Sequence, residues 1–177
     1  PAPAGELVPV VVKLADKVRA QLDGVATGED FSAYHDDPVG FAIDVLGVTP
    51  WEKQAEFLRA VAANDRVALK AGHKVSKSNS LAILSLWFVS TRSGARVFFT
   101  NSSARQVREV NWYEFKKLYR KARRPIGGTL FDVPDRGLEF DDLRQALGFT
   151  TDEPDRWGGL SGEYRLFICD EASGIPE

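Results

Sequence analysis

Apolar positions fall into two regimes along this chain. In the first third they recur at helical spacing, with Val8, Val11, Ala15, Val18 and Leu22 on one face. Gly24, Gly28 and the acidic residues that follow mark a loop. A short helix is predicted over 38–46, because Pro38 suits a first turn and Gly47 ends it. Another is predicted from Thr49 onward, with Thr49 as cap, Pro50 in the first turn and Glu52 three residues after the cap. Trp51, Ala55, Leu58 and Val61 form its apolar side. Residues 1–63 therefore read as a helical lead-in.

Beyond residue 63, short continuous apolar runs alternate with helical segments. RVAL (66–69) and ARVFFT (95–100) read as buried strands. Between them lie AGHKVSKS and SLAILSLWFVS, the latter apolar almost all round, as in a helix packed inside a layered fold. Ser102 or Ser103 can cap a long helix over 104–124, with Trp112, Phe115, Leu118 and Ala122 along one side. TLFDV, GLEF and QALGFTT are shorter, more polar strands that read as an antiparallel addition, and YRLFIC (164–169) is a final buried strand. The alternation predicts an α/β fold, a mostly parallel sheet flanked by helices on both faces.

Composition narrows the function classes. With 44% hydrophobic and 27% charged residues the chain has the make-up of a folded domain, which excludes wholesale disorder. A net charge of −2 excludes a uniformly basic nucleic-acid coat. One cysteine, Cys169, excludes an internal disulfide framework and is expected to be a small core residue; two histidines make a histidine metal cluster a poor reading, and His35 in AYHDDP is expected in a solvated turn. No apolar run approaches the ~20 residues that span a bilayer, and the N-terminal stretch lacks signal-peptide order, so no membrane partner and a cytoplasmic location are expected.

The candidate chemistry lies in strand–AGHKVSKS–helix. A phosphate-binding loop has the pattern G-x-x-x-x-G-K-[ST], in which backbone N–H groups and a helix N-terminus meet anionic oxygens. Here Gly72, His73, Lys74, Val75 and Ser76 would form the turn, Lys77 would sit on the β/γ-phosphates, and Ser78 would place its hydroxyl on Mg²⁺. Ala71 and Ser76 stand where the pattern has glycine; at Ser76 a Cβ in a positive-φ turn would cost on the order of 1–2 kcal/mol. LFICDEASG supplies the second nucleotide motif, a strand ending at the sheet's carboxyl edge. Asp170 would support the Mg²⁺ shell and Glu171 would polarise the attacking water. One strand, ARVFFT, separates the two motifs, as in P-loop ATPases with an additional strand and a catalytic glutamate. Upstream, Gln54 could pair with the adenine edge of ATP, with Trp51 or Phe57 against the ring.

Taken together, TPWEKQ, AGHKVSKS, ARVFFTNSSARQVREVNW, GFTTDEPDRWGGLSG and LFICDEASGIPE resemble the ATPase domain of tailed-phage large terminases, over roughly residues 40–177. The resemblance implies ATP hydrolysis coupled to translocation of double-stranded DNA, a homo-oligomeric ring on a capsid portal protein, and a small terminase subunit as partner. It also implies an arginine supplied by a neighbouring subunit, for which Arg156 is the first candidate and Arg105 the second; Lys74 could act within its own subunit. An ATPase core over 64–177 is expected, with a sheet incomplete beyond the second motif and no nuclease domain. Two alternatives stand beside this: a terminase-like assembly or DNA-binding module with weak or no ATPase activity, and a helicase-like ATPase.

Charge is unevenly spread. Between Arg105 and Arg124 there are eight basic residues (105, 108, 116, 117, 120, 121, 123 and 124) against Glu109 and Glu114. Such a helix, with Trp112, Tyr113 and Tyr119 among its charges, could face a DNA backbone, but a solvated face balanced by acidic neighbours is the favoured reading.

Overall fold

The computed structural model describes residues 29–70, 76–101, 104–132, 136–140, 143–150 and 162–170. The helical face expected over 8–22 and the caps Ser102 and Ser103 lie outside them. Helix α1 (Pro38–Asp44) starts where Asp37 accepts a 2.8 Å hydrogen bond from the Gly40 N–H. Helix α2 (Glu52–Ala63) begins at a different cap from the one predicted. Trp51, not Thr49, flanks it, and the Gln54 side-chain oxygen accepts the Trp51 N–H at 3.3 Å. Helix α3 (Lys77–Thr91) is buried on most sides, as its apolar run predicts.

Five strands form one sheet among the described residues: β1 (Arg96–Asn101), β2 (Thr129–Phe131), β3 (Arg136–Glu139), β4 (Gln145–Thr150) and β5 (Arg165–Cys169), in the order β2-β3-β4-β1-β5. β1 runs parallel to both β4 and β5, while β2–β3 and β3–β4 are antiparallel. The fold is α/β, and the sheet is mixed rather than mostly parallel. The antiparallel addition was legible in the sequence, but QALGFTT (β4), read as part of it, also runs parallel to β1, and the parallel part lacks the RVAL strand expected of it.

Two predicted strands are corrected. RVAL forms no strand: Arg66–Leu69 is exposed chain without regular structure, and Val67 and Leu69 present their side chains to solvent. An apolar run becomes a strand only where a neighbour takes its backbone hydrogen bonds, and no described strand lies beside it. YRLFIC is a strand, but it lies at the edge of the sheet among the described residues: within β5 only Ile168 is buried, Phe167 is 44% exposed, and Cys169 is exposed rather than a core residue.

The predicted long helix is interrupted. It runs as α4 (Ala104–Gln106), a π-helical turn (Val107–Asn111) and α5 (Trp112–Lys121), with the Trp112 N–H bonding to the Val107 carbonyl five residues back. Trp112 and Phe115 stack at 4.8 Å between ring centroids, and both stack on Phe99 of β1. This column and α3 pack on the Val97–Phe99 face of the sheet. Gly148 of β4 is required there, since a Cβ would stand 2.5 Å from a Phe99 ring carbon. Phe31, Phe41, Val45 and Leu58 belong to the same core as Ile83, Phe99 and Ile168. Trp87 of α3 fastens that N-terminal part by donating to the Tyr34 carbonyl at 2.7 Å. No helix among the described residues is long and apolar enough to cross a membrane.

Candidate functional site

Lys77 and Asp170, from the two segments singled out in the sequence, meet. Lys77, the first residue of α3, places its Nζ 2.9 Å from Oδ1 of Asp170, the residue just past β5. Asp170 is 4% exposed, and its N–H donates to the Thr100 carbonyl at 2.9 Å, which fixes it to the end of the parallel β1–β5 pair. Ligands bind α/β sheets at this carboxyl edge. A buried carboxylate here is tolerable because an ammonium group faces it.

Ser76 enters α3 with φ 58° and ψ 32°, the left-handed conformation that glycine adopts without cost. The sequence-based concern about this position was correct. The contacts made at Ser76 come from its carbonyl, which accepts the Ser80 N–H at 3.1 Å, the Ser80 hydroxyl at 3.3 Å and the Gln54 amide at 3.5 Å. Glycine would keep all of them. Ser76→Gly is therefore expected to raise stability by about 0.5–1 kcal/mol, the left-handed strain released less the extra freedom of the unfolded chain. A higher urea midpoint at unchanged slope checks it.

Gln54 lies beside the same helix start, but its amide is committed. Its Nε2 donates to the Ser80 hydroxyl at 3.0 Å, and its oxygen accepts from Trp51. In this arrangement Gln54 braces α2 against α3, and an adenine edge would have to displace those bonds. Trp51 is exposed and Phe57 half-buried. Ser78 sits in the first turn of α3 and lines a small cavity with Leu81, Ala82, Ser85, Phe99, Asn111 and Phe115. Gly72, His73, Lys74, Val75, Arg156 and Glu171 lie outside the described residues. No protein-family model and no curated protein matches the chain.

The Asp170 carboxylate and the Ser78 hydroxyl, one residue along α3 from Lys77, are oxygen donors of the kind a hard cation such as Mg²⁺ takes. Lys77 and the N-terminus of α3, a helix of 15 residues, suit phosphate oxygens. The residues present thus fit a magnesium–nucleotide pair.

Four of the eight basic residues in the column are paired. Arg105 pairs with Glu109 at 2.7 Å, Lys117 with Glu114 and Lys116 with Asp132 at 3.1 Å each, and Arg124 with Glu29. Trp112 is buried, and Tyr119 donates its hydroxyl to the Gly127 and Gly128 carbonyls, so of the three aromatics only Tyr113 is exposed among the charges. His35 bonds to Asp36 at 2.8 Å in the turn where it was expected.

Sequence reasoning missed two residues near the site. Ser80 is the hydroxyl that holds Gln54. Asn111 is buried, and neither its amide nitrogen nor its oxygen has a hydrogen-bond partner. The available signal was a polar residue four places from Val107 and from Phe115 on an apolar helical stripe.

Proposed function

We propose that this chain is an ATP-binding and ATP-hydrolysing subunit of a viral DNA packaging motor of the large-terminase type, with a P-loop nucleotide site at the start of α3. The observation that carries the reading is the 2.9 Å approach of Lys77 to Asp170, which joins the two motifs from opposite ends of the segment between them. A second support is the left-handed Ser76, the backbone conformation a phosphate loop uses at that position.

In this reading the Lys77–Asp170 pair is the resting arrangement. With nucleotide bound, the Lys77 ammonium would turn to its phosphates, and Asp170 and Ser78 would hold the magnesium shell. Bound Mg²⁺·ATP supplies a phosphoryl group whose transfer to water is driven by charge neutralisation and alignment. Glu171, directly after Asp170, would orient that water, and Arg156 from a neighbouring subunit would offset charge on the γ-phosphate. Gln54 would turn from Ser80 to the adenine edge. The partners that follow are double-stranded DNA, a portal protein, a small terminase subunit and further copies in a ring, in the cytoplasm of a bacterial host.

A binding or assembly module with little ATPase activity is the second reading, favoured by the strained Ser76 and by a Gln54 amide already committed to Ser80. Titration with a fluorescent ATP analogue in Mg²⁺ separates the two. Saturable binding that Lys77→Ala weakens at least a hundredfold is expected. Equal, negligible binding by both proteins rejects the motor reading for this chain.

A further inference from the structure

The Asn111 side chain is 6% exposed, and all its hydrogen-bonding atoms are unpaired. Buried amides are almost always paired, so an unpaired one calls for an occupant that completes it. Asn111 closes the π-helical turn, a local widening that recurs at functional sites. It faces a cavity whose other polar walls are Ser78 and Ser85, the rest being aliphatic or aromatic. The Ser85 hydroxyl already donates to the Leu81 carbonyl at 2.8 Å, which leaves Ser78 as the hydroxyl with a proton to give. The cavity has room for about one water molecule.

We infer that Asn111 is a positioning residue for the Ser78 hydroxyl, acting through one buried water in this cavity. A hydroxyl that coordinates a cation does so with a lone pair, so its proton must point elsewhere. A water held by the Asn111 amide accepts that proton and turns the Ser78 lone pair toward the cation. Outer partners of this kind orient ligands without touching the metal. The inference rests on the reading that Ser78 meets Mg²⁺ beside a bound nucleotide.

The test measures affinity for the fluorescent ATP analogue with Mg²⁺ and again in EDTA, and takes the ratio. Asn111→Leu should lower that ratio about tenfold, the worth of one good hydrogen bond, and leave the EDTA affinity unchanged. Ser78→Ala should give a similar loss, and the double variant no more than either single one. Asn111→Leu should melt close to the wild type, because the water-mediated bonds it loses are offset by apolar contact in a mostly aliphatic and aromatic setting. Should it fail to fold, Asn111→Ala is read in the same way. An unchanged ratio, or losses that add in the double variant, overturns the role of Asn111 while nucleotide binding stands. A wild-type protein that binds no nucleotide overturns the site and this role together.

Discussion

Lys77→Ala should lose nucleotide binding and a large part of the protein's stability in one step. The second effect follows from Asp170. Its carboxylate is 4% exposed and stands 2.9 Å from the Lys77 ammonium. Removing one member of a buried pair leaves the other charged in a poorly solvated place, at a cost of about 3–5 kcal/mol. Lys77 is 27% exposed, so water can enter in its place and the lower end, about 3 kcal/mol, is expected. For a chain of this size that is a fall in Tm of about 6–12 °C. Lys77→Ala combined with Asp170→Ala removes both charges and should recover most of the stability but none of the binding. Thermal melts at neutral pH and the nucleotide titration, run on the same three proteins, read the two effects separately. A single variant that melts with the wild type would show that Asp170 does not depend on Lys77. A double variant that binds nucleotide would remove Lys77 from the site.

Much of this site is visible in the residues. A lysine opening an apolar helix and an aspartate closing an apolar strand are local patterns, and their convergence follows once the strand and helix share one layered core. Ser76 was legible for the same reason, because a loop-to-helix turn that favours glycine needs positive φ whichever residue occupies it. Other features depend on partners that no short window contains. Val67 and Leu69 carry the composition of a buried strand, yet pairing is decided by the neighbours the chain brings alongside, and β5 has β1 as its only described neighbour. The same fact leaves Phe167 and Cys169 exposed. The π turn is equally hidden, since Val107, Asn111 and Phe115 keep their four-residue spacing whether the intervening backbone is α or π. Gln54 reads in the sequence as a candidate for the adenine edge, while in the fold its amide is taken by Ser80, 26 residues away in sequence.

The column that carries Asn111 gives the second large effect. Trp112→Ala is expected to destabilise the protein by about 3–5 kcal/mol, the usual cost of deleting a buried aromatic. The indole is 1% exposed, stacks on Phe115 at 4.8 Å and Phe99 at 5.8 Å, and so joins the helical column to β1. Its Nε1–H also donates to Asp132 at 2.6 Å. That bond, and then the one from Lys116, hold the Asp132 carboxyl below its ordinary value of 3.8. A lowered folded value means that stability is gained above the ordinary value and lost as pH falls through the lowered one. Asp132 is about half exposed, so this share is small beside the loss of packing. Trp112→Phe separates the two contributions. It keeps the ring stack and loses the donor, so about 1 kcal/mol should go at neutral pH. The gap from the wild type should then narrow as pH falls from the ordinary carboxylate value through the lowered one. Urea midpoints at pH 7 and pH 3 for the three proteins measure this. A Trp112→Ala variant as stable as Trp112→Phe would mean that the stack on Phe99 does not hold the column to the sheet, and the cavity between Ser78 and Asn111 would then lack the rigid wall that its ordered water requires.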